Sequence, residues 1–109
     1  MRLWYHTICE YITLIWRYTI MASRIVPYKR NSKQCFVHCY YREYNLYDEH
    51  YTVIIAAIFD ENGCLYSRKF SDRLDISPQQ AQSAVEQFCS RCTCYEDFAD
   101  AFEQCCTGG

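Results

Sequence analysis

Nine cysteines and three histidines are the residues of this chain best equipped for chemistry, and their spacing admits four readings. Metal binding is the first: Cys89 and Cys92 lie three apart, so on a helix the two thiols sit on adjacent turns within reach of one zinc ion. They supply half a site. Cys35 and Cys39 complete it only if their segment turns, because four residues of strand separate them by about 13 Å. Cys105 and Cys106 lie about 16 Å along a helix from Cys94 and do not easily return to Cys92.

Nucleophilic catalysis, the second reading, needs a thiol beside an imidazole with a third group to orient it. Cys35 and His38 are near in sequence, but on a strand they point to opposite faces; His6 and His50 are not placed by the sequence. A disulfide framework, the third, belongs to loop-rich secreted chains, whereas here the cysteines fall inside patterned elements and are odd in number. The fourth reading, small buried hydrophobes, fits Cys89, Cys92 and Cys105 best, since each occupies an apolar helical position. That reading favours a reduced, cytoplasmic, non-enzymatic protein with no cofactor. No Gly-rich phosphate loop, nucleophile elbow, His-Glu-x-x-His or calcium loop occurs. Asp72 and Asp75 are spaced like paired carboxylates but precede a helix whose N-terminus favours acids.

Two other groups of residues could bind a macromolecule. Tyr40, Tyr41, Tyr44, Tyr47 and Tyr51 fall within twelve residues, and a loop between two strands could not bury them all. Exposed tyrosines offer large contact area at low entropic cost, so Tyr41, Tyr44 and Tyr47 are candidate protein-binding residues. Arg24, Lys29, Arg30, Lys33 and Arg42, interleaved with Tyr28 and Tyr41, are the alternative: they could hold phosphates and stack bases. The weakly acidic pI of 5.9 argues against a dedicated nucleic-acid binder. Charge is nonetheless segregated, +5 over residues 1–33 and −7 over residues 34–109. The acid excess is greatest near the C-terminus, where Glu96, Asp100 and Glu103 could occupy a partner's basic groove.

The elements that must position these residues read as strands first and helices last. Residues 34–44 and 64–71 suit strands, and residues 51–60, apolar on both faces, suit a central one. Glu61-Asn62-Gly63 marks a hairpin turn in which Asn62 and Gly63 both tolerate positive φ. Ser77-Pro78-x-Gln80 combines an N-cap, a proline at the first helical position and a capping box. Ala81, Ala84, Val85, Phe88, Cys89 and Cys92 then follow at helical spacing. Thr93-x-x-Glu96 resembles a second capping box, after which Tyr95, Phe98, Phe102, Cys105 and Cys106 form an apolar stripe. The expectation is an α+β fold, a three- or four-stranded antiparallel meander packed on one face by a C-terminal αα-hairpin.

Residues 34–109 form the single domain on this reading and residues 21–33 a basic linker or arm. Residues 1–20 are an N-terminal extension or an additional strand over residues 12–20, upstream of an alternative start at Met21. His6, Glu10 and Arg17 interrupt the apolar stretch from Leu3 to Met21, so it suits neither a membrane span nor an export signal. The functional expectation is a protein-interaction module, an inhibitor or adaptor acting on a nucleic-acid-processing protein through a Tyr-rich hairpin loop and acidic helices. The alternatives are nucleic-acid binding through residues 24–44 and zinc binding through Cys89 and Cys92.

Overall fold

The computed structural model of the chain describes residues 23–106, an α+β fold in which a four-stranded antiparallel sheet carries two C-terminal helices. The strands β1 (Ser23–Arg30), β2 (Lys33–Leu46), β3 (Glu49–Asp60) and β4 (Leu65–Phe70) follow one another across the sheet as a meander. The strand expected over residues 12–20 lies outside the described residues. The fourth strand is β1 instead, formed by the segment expected to be a basic linker or arm. Val26 and Tyr28 are buried while Pro27 and Lys29, on the other face, are exposed, a period-2 pattern that the run of charges obscures. Pro27 is tolerated because β1 is an edge strand, where a missing N–H costs no ladder bond.

Turn chemistry sets the register. Asn31 and Ser32 join β1 to β2 with φ of 51° and 67°, the paired positive values of a type I′ turn. The β3–β4 connection falls at the expected Glu61-Asn62-Gly63 turn, but its backbone does not carry positive φ at both Asn62 and Gly63. Only Gly63 has positive φ, at 82°, and Gly63 N–H donates to the Asp60 carbonyl while Asp60 N–H donates to the Cys64 carbonyl. This is a three-residue loop of a tight turn followed by a glycine bulge. The Asp60 carboxylate holds it by accepting from the N–H groups of Asn62 and Cys64 at 2.9 and 2.8 Å.

The first helix, α1 (Pro78–Thr93), starts as its sequence dictates: the Ser77 hydroxyl accepts from Gln80 N–H, and the Gln80 side chain accepts from Ser77 N–H. It buries Ala81, Val85, Phe88, Cys89 and Cys92 against the sheet. The second, α2 (Phe98–Cys106), does not begin at the expected Thr93-x-x-Glu96 box. The Thr93 hydroxyl turns back to the Cys89 carbonyl at 2.8 Å and stays within α1. Asp97 caps α2 in its place, accepting from Ala99 and Asp100 N–H at 3.0 and 3.1 Å. The connection therefore spans residues 94–97, and Tyr95, at φ 62° and exposed, leaves the apolar stripe. Phe88 locks the helices together, with Phe98 and Phe102 both edge-on at 5.6 Å. Among the described residues no helix is long and apolar enough to cross a membrane.

Candidate functional site

The expected Tyr-rich loop is mostly strand. Among the described residues β1 pairs with β2 as far as Tyr40, and β4 pairs with β3 as far as Ile55. The five pairs from Arg42–Val53 to Leu46–Glu49 run past both neighbours, a two-stranded arm about 15 Å long at 3.4 Å per residue. The arm is anchored where Thr52 and Leu74 exchange two backbone hydrogen bonds of 2.8 Å. Beyond that bridge its described strand pairings are those between β2 and β3. Tyr44 and Tyr51 lie directly opposite and stack at 5.1 Å with rings 16° apart. The Arg42 guanidinium lies 5.6 Å from the Tyr44 ring and that of Arg73 lies 4.6 Å from the Tyr51 ring. Arg73 also pairs with Glu49 at 3.5 Å, so charge and aromatic contacts brace the β3 side of the arm as far as its last pair.

Past that last pair lies an exposed turn, Tyr47-Asp48. Tyr47 is fully exposed at 103% and Leu46 is 51% exposed. Tyr47 has φ of 57°, whereas Asp48 does not share the positive sign, the pattern of a turn that ordinarily takes glycine at its first central position. A tyrosine there costs about 1 kcal/mol relative to a residue without a Cβ, with no packing in return.

The tyrosines thus separate. Tyr41 is 4% exposed, packed in the helix-side core, and is removed from the candidate binding residues; Tyr44 is half-buried by Tyr51; Tyr47 alone stands free of the body. β2 runs on to Leu46, carrying Tyr41 inward by strand alternation where a loop would have left it outside.

The candidate phosphate-binding residues are dispersed. Arg24 pairs with Glu86 on α1 at 3.5 Å, Arg42 belongs to the arm, and Arg30 sits 4.7 Å over the Tyr66 ring. Lys33, at the start of β2, is exposed. Lys29 and Arg30 instead meet Lys69 around a cleft of about 570 Å³ that Tyr28, Tyr95, Asp97 and Phe98 also line. Lys69 was not foreseen, because its place depends on how β4 approaches α2. At the floor of the cleft the buried Tyr28 hydroxyl accepts from Phe98 N–H at 3.0 Å, and burial raises its pKa.

Nor do the acids form one patch. Glu96 pairs with Arg91 at 3.7 Å, and Arg91 also donates to Gln104. Glu103 borders a second hollow with Arg68 and Lys69. Asp100 is exposed in the first turn of α2.

The thiols form a buried cluster across three elements. Cys89 and Cys92 on α1, Cys39 on β2 and Cys106 on α2 are each at most 1% exposed. Cys39 is hydrogen-bonded with Cys89 and Cys106; burial and these contacts raise its pKa, while the bond from Cys39 lowers that of Cys89. Burial pushes Cys92 up to about 12. The eight described cysteines are free thiols, and among the described residues no group of three or more His, Cys, Asp or Glu side chains is placed to hold a metal. Cys35 belongs to the helix-side core and His38 does not, so alternation keeps this thiol and imidazole apart. His50 lies on the exposed arm, 3.9 Å from Glu43.

Comparison with protein-family models, with curated proteins and with solved structures finds no match for the chain.

Proposed function

We propose that the chain is a non-enzymatic protein-interaction module, an adaptor or inhibitor that engages its partner through the β2–β3 arm. The observation that carries this reading is Tyr47: an aromatic side chain held clear of the body, at a positive-φ turn position where glycine would serve the fold better. A residue that weakens its own turn and packs on nothing has its use outside the domain. Leu46 beside it, the Tyr44–Tyr51 stack behind it and two guanidinium groups supply the aromatic and arginine content typical of interface hot spots. Among the described residues the outer edge of β2 extends past β1 along residues 42–46, where an extended partner segment could add as a further strand. The acidic residues of α2 and of the connection before it play the smaller part, since Glu96 in that connection is already paired with Arg91.

A photo-crosslinking side chain at position 47 should capture a discrete protein partner, whereas the same group at Tyr66, on β4, should not. Equal capture from both positions would refute docking through the arm.

A second reading rests on the cleft, where Lys29, Arg30 and Lys69 flank Tyr28 and Tyr95. Nucleic-acid binding there predicts affinity that falls steeply with salt and is lost on neutralising the three cations; protein docking through the arm predicts neither.

A further inference from the structure

The sheet is apolar on both sides, and both described helices lie on one of them. Their side carries Val26, Val37, Cys39, Ile54 and Ile58 in a single buried cluster with the helices. On the opposite side the cross-strand rows Ile25–His38–Ala57 and Ser23–Tyr40–Ile55–Phe70 hold residues that are also buried: His38 1%, Tyr40 6%, Ile55 2% and Ala57 0% exposed. None of these four belongs to the helix-side cluster. A sheet with buried residues on both faces is an inner layer.

We propose that residues 1–22 of the same chain dock on this second face, making the domain a three-layer structure with the sheet in the middle. The placement of the segment supports this: it leads directly into Ser23, the first residue of β1, which stands in one of the two buried rows. Its length suffices, because four strands at about 4.8 Å spacing are narrower than 22 residues in either a helix or a strand. Its composition suits the role, with Trp4, Ile8, Ile12, Ile15 and Trp16 among few charges; too interrupted for a membrane, such a segment is well matched to one side of a sheet. A chain starting at Met21 would lack this cover.

The two tryptophans of the sequence, Trp4 and Trp16, both lie in the segment, so their fluorescence reports its docking in the unmodified full chain. In dilute protein shown to be monomeric by sedimentation, emission should be blue-shifted relative to the urea-unfolded chain. Acrylamide quenching should be several-fold weaker than in that chain, and nuclear Overhauser contacts should join an indole ring to the Ile55 or Ala57 methyl groups. Three results would overturn the proposal. Tryptophans quenched as in the unfolded chain while β2 and β3 amides stay protected would leave the segment undocked. Protection that disappears on dilution of a dimer would assign the face to a second copy. Indole contacts confined to other residues would place the segment elsewhere.

Discussion

Acid should unfold this domain earlier than its carboxylates alone would dictate, and His38 is the reason. The imidazole is 1% exposed on the far face of β2, 5.0 Å from the Tyr40 ring, and burial lowers its pKa from 6.5 to about 4. The unfolded chain therefore binds a proton at His38 that the folded chain refuses. Above about pH 6.5 both states are neutral and nothing is lost; as pH falls toward 4 the unfolded state gains stability, and below 4 the loss is complete. For a shift from 6.5 to about 4, the linkage relation gives a loss of about 2 kcal/mol at pH 5 and about 3 kcal/mol at pH 4. Against a total of roughly 5–15 kcal/mol for a domain this size, that loss is large. Urea unfolding of the wild-type chain and of His38→Phe at matched pH isolates it, because the carboxylates are common to both. The wild type should lose about 3 kcal/mol more than the variant between about pH 7 and pH 4. Parallel pH profiles would show that His38 ionises freely in the folded state and would refute the buried placement.

Gly63→Val should cost on the order of 1 to 2 kcal/mol, read from thermal unfolding, because a β-branched residue resists φ of 82°; unchanged stability would refute the bulged turn. Asp97→Ala should cost about 1 kcal/mol by removing two N-terminal hydrogen bonds of α2, while Glu96→Ala, at the fourth position of the expected Thr93-x-x-Glu96 capping box, should cost less than about 0.5 kcal/mol. The reverse order, measured by denaturant unfolding, would restore the cap to Thr93-x-x-Glu96. Of the eight described thiols, Cys64 and Cys94 are the exposed ones and should react rapidly with a thiol reagent in native protein; denaturation without reductant should release all nine of the chain's thiols, and a smaller number would reveal bridges.

The fold was legible where one local rule acted alone. Ser77, Pro78 and Gln80 satisfy three preferences of a helix start at once, and α1 begins there. Residues 51–60, apolar on both faces, announced an inner strand. The start of α2 was misread because Thr93 and Asp97 both offer a capping oxygen, and the choice fell to tertiary contacts: Tyr28, distant in sequence, accepts from Phe98 N–H and fixes where the helix can begin. β1 was hidden by its charges, although Val26 and Tyr28 alternate as a strand requires. The candidate site was half legible. Tyr44 and Tyr47 could be located near a bend, but the length of β2 relative to its neighbours decides that Tyr41 is core and Tyr47 is free. That difference in length depends on pairing between strands, as does the meeting of Lys69 with Lys29 and Arg30.

The central claim is that Tyr47 serves a partner and not the fold, and Tyr47→Gly tests it directly. Glycine accepts the positive φ at this position, so unfolding free energy should hold steady or rise by up to about 1 kcal/mol. Affinity for the partner captured from position 47 should fall by about 2 kcal/mol, roughly 30-fold, the loss expected of an interface aromatic. Undiminished affinity in a variant of undiminished stability would contradict the account.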